Sequence, residues 1–204
     1  GPVALKILHD ALTGTAAGRD AFLEEARRIA RIRHPGVVRV FDFGESARPG
    51  GPPQAWVSME LVEGRTLASL VAECGPLTVV DGLVVVAAVL DALAEVHRAG
   101  LVHRDVTPAN IMVRGESQPG FEGFASGDVR LLDFGLASAP GSPAVGIDVL
   151  GSMRHGGASS GAARALGSAS YVSPEQVRGQ PVFAAGDVYQ VGAVLAFALT
   201  ARPP

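Results

Sequence analysis

An α+β fold follows from three features of the 204-residue chain: a β-rich first part carrying one helix, a long apolar helix opening the second part, and a late apolar helix over Asp187 to Thr200. Short apolar runs closed by Gly and Pro give the strands, and apolar positions at helical spacing give the helices. At 48% hydrophobic and 18% charged, the chain can bury a substantial core, which excludes disorder of the whole.

The elements follow in order. Val3 to Leu8 reads as a buried strand. Asp20 is placed to cap a helix whose apolar positions Phe22, Ala26 and Ile29 fall at i, i+4 and i+7. His34-Pro35-Gly36 ends it, and strands are expected over Val37 to Phe43 and Ala55 to Leu61, with a Pro/Gly turn region from Arg48 to Pro53 between them. Thr78-Val79-Val80-Asp81 resembles a capping box and starts a long apolar helix that ends near Gly100. Gly115 to Gly127 and the Gly/Ala/Ser-rich Pro140 to Gly167 read as insertions, the second expected to be mobile.

Several classes are excluded. Net charge is −3 with no long basic run, so nucleic acid is not a favoured partner. A single cysteine, Cys74, allows neither an internal disulfide nor a CxxC metal site, and a reducing, cytoplasmic setting fits. No signal peptide is visible in the first residues. The apolar runs Leu83 to Ala94 and Val188 to Ala201 fall short of the ~20 residues that cross a bilayer, so no membrane-spanning segment is expected in this piece.

Polar chemistry gathers in five ordered motifs. They are Val3-Ala4-Leu5-Lys6 on a strand, Glu25 on the following helix, His103-Arg104-Asp105-Val106-Thr107-Pro108-Ala109-Asn110, Asp133-Phe134-Gly135 and Gly167 to Glu175 with its Ser173-Pro174-Glu175. Lys6 and Asn110 are the sole lysine and the sole asparagine of the chain, and each sits in a motif. In this order the motifs resemble the protein kinase family, and its bacterial serine/threonine branch in particular.

The resemblance implies a bilobal protein kinase-like fold, with a small, incomplete β-rich N-lobe and hinge over residues 1–62 and a truncated, mainly helical C-lobe over residues 63–204. It implies ATP and Mg²⁺ as cofactors and protein Ser/Thr hydroxyls as substrates. Phosphoryl transfer needs positioning and cancellation of developing charge more than covalent help. Lys6 would hold the α- and β-phosphates, and Glu25 would pin Lys6. Glu25 is preferred over Glu24 because it lies one turn before Ile29 on the apolar face, and because it matches the family's F-x-x-E-A pattern. Oxygen ligands suit Mg²⁺, a hard cation: Asp133 would bridge it to the phosphates and Asn110 would hold a second ion. Asp105 would accept the substrate hydroxyl proton. The stretch Trp56 to Val62 resembles the hinge. Met59 would sit behind adenine, the Glu60 carbonyl and Val62 amide would read its edge, and Ala4 and Met112 would sandwich the ring. By the same likeness His103 is a core histidine under Phe134, and Asp187 caps its helix and holds the catalytic loop backbone.

Three departures stand beside the resemblance. Position 107 is Thr where the serine/threonine branch has Lys, a residue that neutralises charge on the transferring group. No Gly-rich phosphate loop precedes Lys6, and the chain stops just after the helix carrying Asp187, so it reads as a piece of a longer protein. Two functions are therefore weighed: an active serine/threonine kinase, and a pseudokinase acting as a binding or regulatory module. A small-molecule phosphotransferase shares an Asp…Asn loop but lacks the Asp-Phe-Gly and Ser-Pro-Glu segments. The family likeness also implies that Arg104 would pair with a phosphate on the activation segment. Ser159 or Ser160 is the expected autophosphorylation site, with a homodimer as the means, and Ser168 takes the place of the usual Thr.

Overall fold

The computed structural model describes residues 1–7, 16–114, 123–132 and 170–204. The first part is a three-stranded antiparallel sheet in the order β1-β3-β2, built from β1 (Val3–Ile7), β2 (Val40–Ser46) and β3 (Gln54–Glu60). The helix α1 (Ala16–Ile29) packs on it through buried Ala26 and Ile29 and half-buried Phe22. β1 alternates along its length, with Ala4 and Lys6 half-buried and Val3, Leu5 and Ile7 exposed. That period of two places Ala4 and Lys6 on one face of the sheet.

Boundaries differ from the sequence expectation in four places. The α1 helix starts at Ala16, so Asp20 lies within it and does not cap it. The upstream alanines favour helix strongly enough to extend it. Residues Val37 and Val38 leave the expected strand and turn to the second part: Val37 bridges Leu131 in parallel, and the Val38 amide donates to the Leu131 carbonyl at 3.1 Å. Asp187 sits inside the last helix, whose N-cap is Phe183. The expected β3 strand ends at Glu60, leaving Leu61 exposed beyond it.

The second part begins with the two-residue strand β4 (Arg65–Thr66) and α2 (Leu67–Cys74). The Thr66 hydroxyl caps α2 by accepting from the Ser69 amide at 3.0 Å. The long α3 (Val79–Arg98) is capped as its sequence predicts, with Thr78 Oγ1 accepting from the Asp81 amide at 3.1 Å. Val85, Val89, Leu93 and Val96 are buried along it. Each such side chain contributes roughly 1.5–3 kcal/mol. Next come β5 (Ile111–Val113) and β6 (Val129–Leu131), which with β4 form a second antiparallel sheet in the order β4-β5-β6. The tail of the first expected insertion, from Gly123, docks on α3 where the Phe124 amide donates to Asp81 at 3.3 Å. The rest of that insertion, and all of Pro140 to Gly167, lie outside the described residues.

The chain closes with the short α4 (Pro174–Val177) and with α5 (Ala184–Thr200), which packs against α3. Gly82 makes that approach close, since a Cβ there would come within 3.0 Å of Leu199. Among the described residues no helix is long and apolar enough to cross a membrane. A β-rich part and a mainly helical part thus agree with the α+β expectation.

Candidate active site

The site is built around residues 101–110, which precede β5 and have almost no regular structure of their own. A buried segment without a ladder must find other partners for its amides and carbonyls. Here side chains supply them. Asp187, fully buried on α5, accepts from the His103 amide at 2.9 Å and the Arg104 amide at 2.7 Å. It also accepts from His97 Nε2 of α3 at 2.7 Å. Three donors on one carboxylate explain why its charge tolerates burial. The expected loop-holding role of Asp187 therefore stands, while the capping role does not.

His103 is fully buried, with Nε2 donating to the Leu132 carbonyl at 3.0 Å and Nδ1 accepting from the Asp105 amide at 3.3 Å. Both ring nitrogens are engaged, which fits the structural reading of this residue. Its expected neighbour Phe134 lies outside the described residues.

Arg104 has φ of 67°, the left-handed region that an L side chain enters at a cost. Such strain is on the order of 1–3 kcal/mol and persists where surroundings over-determine it. The buried Arg104 guanidinium has its pKa lowered by desolvation, with Asp187 and Glu25 pulling it back.

Asp105 and Asn110 are brought together. Asn110 is buried, and its Nδ2 donates to the Asp105 carboxylate at 2.8 Å and to the Asp105 carbonyl at 2.9 Å. With Nδ2 committed to Asp105, the amide oxygen is the atom that can meet a cation. The 3₁₀ turn Pro108–Asn110 produces this geometry, with the Asn110 amide donating to the Thr107 carbonyl at 2.9 Å. The Leu132 amide donates to the Asn110 carbonyl at 2.8 Å, which holds the end of β6 beside Asn110. Asp133 itself lies outside the described residues, as does Ser168.

The remaining candidates sit across the two sheets. Lys6 pairs with Val57 and Ala4 pairs with Met59 in the β1–β3 register. Met59 and Val62 pack against the core, and Met112 is buried on β5 opposite Thr66 and Arg130. Glu60 ends β3, with its amide donating to the Arg39 carbonyl at 2.8 Å and its carboxylate paired to Arg114 at 2.7 Å. On α1, Glu24 is exposed and pairs with Arg27 and Arg28, whereas Glu25 is half-buried beside Ala26. This supports the choice of Glu25 as the inward-facing carboxylate, and its field reaches Arg104. Arg130 is half-buried on β6, and desolvation followed by Arg114 lowers its pKa.

Sequence reasoning missed Gln176, Gln190 and Ser173 as parts of the site. Gln190 accepts from the Val106 amide at 2.9 Å and donates to the Arg104 carbonyl at 3.0 Å. Gln176 donates to the same carbonyl at 2.9 Å, and its amide oxygen accepts from the Ser173 hydroxyl at 3.0 Å. The available signal was a glutamine inside an otherwise apolar helix, because a buried amide must be partnered.

Asn110 offers an amide oxygen, the ligand type a hard divalent cation takes, on a side chain held by Asp105. The profile of the protein kinase domain family matches residues 1–204. The chain is 37% identical over 202 residues to a probable serine/threonine-protein kinase of Corynebacterium efficiens, covering 99% of this chain and 27% of that protein. It is also 37% identical over 202 residues to serine/threonine-protein kinase PknB of Mycobacterium tuberculosis, covering 99% and 29%. Against PknB of Mycobacterium leprae the identity is 35% over the same length and shares. The chain thus spans under a third of these relatives. Members of the matched family use ATP with a divalent metal. By this match over its whole length, the chain belongs to the protein kinase domain family.

Proposed function

We propose that the protein containing this chain is a serine/threonine kinase that transfers the γ-phosphate of ATP to protein hydroxyls, with Mg²⁺ as the metal. One observation carries the reading: Asp105 and Asn110 are locked together in a buried loop whose Asn110 carbonyl accepts from the Leu132 amide. ATP with Mg²⁺, when bound, supplies the transferable phosphoryl group and neutralises its charge. Asp105 orients the substrate hydroxyl and takes its proton. Asn110 fixes the Asp105 carboxylate through Nδ2 and would hold a second ion through its oxygen, while Asp133 would hold the first. Lys6, steadied by Glu25, holds the phosphates. Ala4, Met59, Val62 and Met112, with the Glu60 backbone, form the purine pocket. The similarity to proteins named as serine/threonine-protein kinases supports Ser/Thr as acceptors. A cytoplasmic setting and a homodimer that autophosphorylates Ser159 or Ser160 complete the proposal.

The test is Asp105→Asn in the full-length protein. A positioned general base contributes typically 10²–10⁴-fold, so turnover falls by about that factor while ATP affinity stays within about twofold. Undiminished turnover removes Asp105 from the role.

A pseudokinase reading draws on Thr107. This residue is buried, and its side chain makes no cap hydrogen bond at the 3₁₀ turn. It brings no cation where the serine/threonine branch has lysine. Loss of one electrostatic donor costs about 3 kcal/mol at a catalytic site. That is far less than a whole rate enhancement, so the intact Asp105–Asn110 pair favours the catalytic reading.

A further inference from the structure

The backbone on both sides of Asp105 is held by glutamines. Among the described residues, the Arg104 carbonyl accepts from Gln176 Nε2 at 2.9 Å and from Gln190 Nε2 at 3.0 Å. On the other side of Asp105, the Val106 amide donates to Gln190 Oε1 at 2.9 Å. A single side chain therefore grips the residue before Asp105 and the residue after it. The two glutamines also join each other, Gln190 Nε2 donating to Gln176 Oε1 at 3.1 Å. Gln176 Oε1 is fixed in turn by the Ser173 amide at 3.1 Å and hydroxyl at 3.0 Å. Gln190 is 1% exposed and Gln176 9% exposed, so water does not substitute for these bonds.

A purely structural glutamine would need only to satisfy itself. This one meets the two peptide groups that determine where the Asp105 carboxylate points, next to a residue held at φ of 67°. Asp187 fixes the amide of Arg104, which leaves its carbonyl and the Val106 amide to be fixed by something else. A displacement of about 1 Å at a catalytic group can cost ~10²-fold in rate.

We propose that Gln190 is a positioning residue for Asp105, acting with Gln176 as a clamp across the Arg104 and Val106 peptide groups. The proposal rests on the kinase reading only for what Asp105 does. The clamp also ties the catalytic loop to the Ser173–Gln176 turn, so order in that turn is passed to Asp105.

The test uses Gln190→Met in the full-length protein, which keeps length and volume but removes both hydrogen-bonding groups. Two quantities are read: steady-state kinetics, and amide hydrogen exchange at Asp105 and Val106 against the amides of α3. The expected result is a fall in kcat of tenfold or more, KM for ATP within about twofold, and at least tenfold faster exchange at Val106 with α3 unchanged. Unchanged exchange at Val106, or a loss confined to KM, overturns the clamp. Should Gln190→Met fail to fold in a thermal melt, Gln176→Met removes the partner bond to the Arg104 carbonyl and is held to the same kinetic criteria. A wild-type protein with no turnover would refute the kinase reading. The exchange comparison would still decide the clamp.

Discussion

Tyr171 shows how a single residue reports on packing around the site. Its ring is buried edge-on against Phe197 of α5, with centroids 6.3 Å apart. Burial pushes its hydroxyl up to about 12 from an ordinary 10.0, because the phenolate is the form that desolvation disfavours. A raised acid pKa means that the neutral form stabilises the fold below pH ~10 and that this contribution is lost as pH rises towards ~12. A shift of that size corresponds to at most ~2–3 kcal/mol. Chemical denaturation of the full-length protein between pH 9 and 12 should therefore show a steeper loss of stability in wild type than in Tyr171→Phe. Parallel curves for the two proteins would show that the hydroxyl is not buried as described.

At the same scale, much of the candidate site was legible in the sequence. Asp105 and Asn110 lie five positions apart, so the loop that joins them is local and its chemistry can be read along the chain. Gln176 and Gln190 were not legible as site residues. They reach the Arg104 carbonyl across sequence separations of 72 and 86 residues, and no local pattern encodes such a meeting.

Elements divide in the same way. The α3 helix was readable from its Thr78 cap and apolar periodicity, and α5 from its apolar run. Strands β4, β5 and β6 are two or three residues long, too short for a period of two to declare itself. They are defined by pairing, and Gly64 makes one pairing possible. Gly64 has φ of 141°, and a Cβ there would lie 2.5 Å from the Val113 carbonyl oxygen. Gly50 also has positive φ, at 72°, but a Cβ there meets nothing within 4 Å. Gly64→Ala should therefore cost roughly 2 kcal/mol or more, from both the backbone and the contact, while Gly50→Ala carries the backbone term alone, roughly 1 kcal/mol. Thermal melts of the two full-length variants would separate these terms. Equal melting temperatures would show that β4 and β5 do not approach as described.

Across the described residues, one buried core and specific polar contacts join the two parts. The Leu131 amide donates to the Gly36 carbonyl at 2.7 Å, and His34 Nε2 meets the Asp91 carboxylate of α3 at 3.0 Å. At the end of β3, Glu60 is paired with Arg114, which follows β5, at 2.7 Å. These contacts hold the sheet bearing Lys6 against the loop bearing Asp105, which is the arrangement that transfer between two bound substrates requires. A hinge over Trp56 to Val62 was expected from the family resemblance, but the contacts of Val37 and Val38 with Leu131 were not. Val37 and Val38 read as strand because they are β-branched, and only the second sheet gives them a different partner.

The central claim is that this arrangement transfers phosphate to serine and threonine. It is tested most directly by incubating the full-length protein and a generic protein substrate with γ-labelled ATP, with Mg²⁺ and with a chelator, followed by phosphoamino-acid analysis. The account predicts labelled phosphoserine and phosphothreonine that disappear when the metal is removed. Predominant phosphotyrosine, or no label in a protein that still binds ATP, would contradict it.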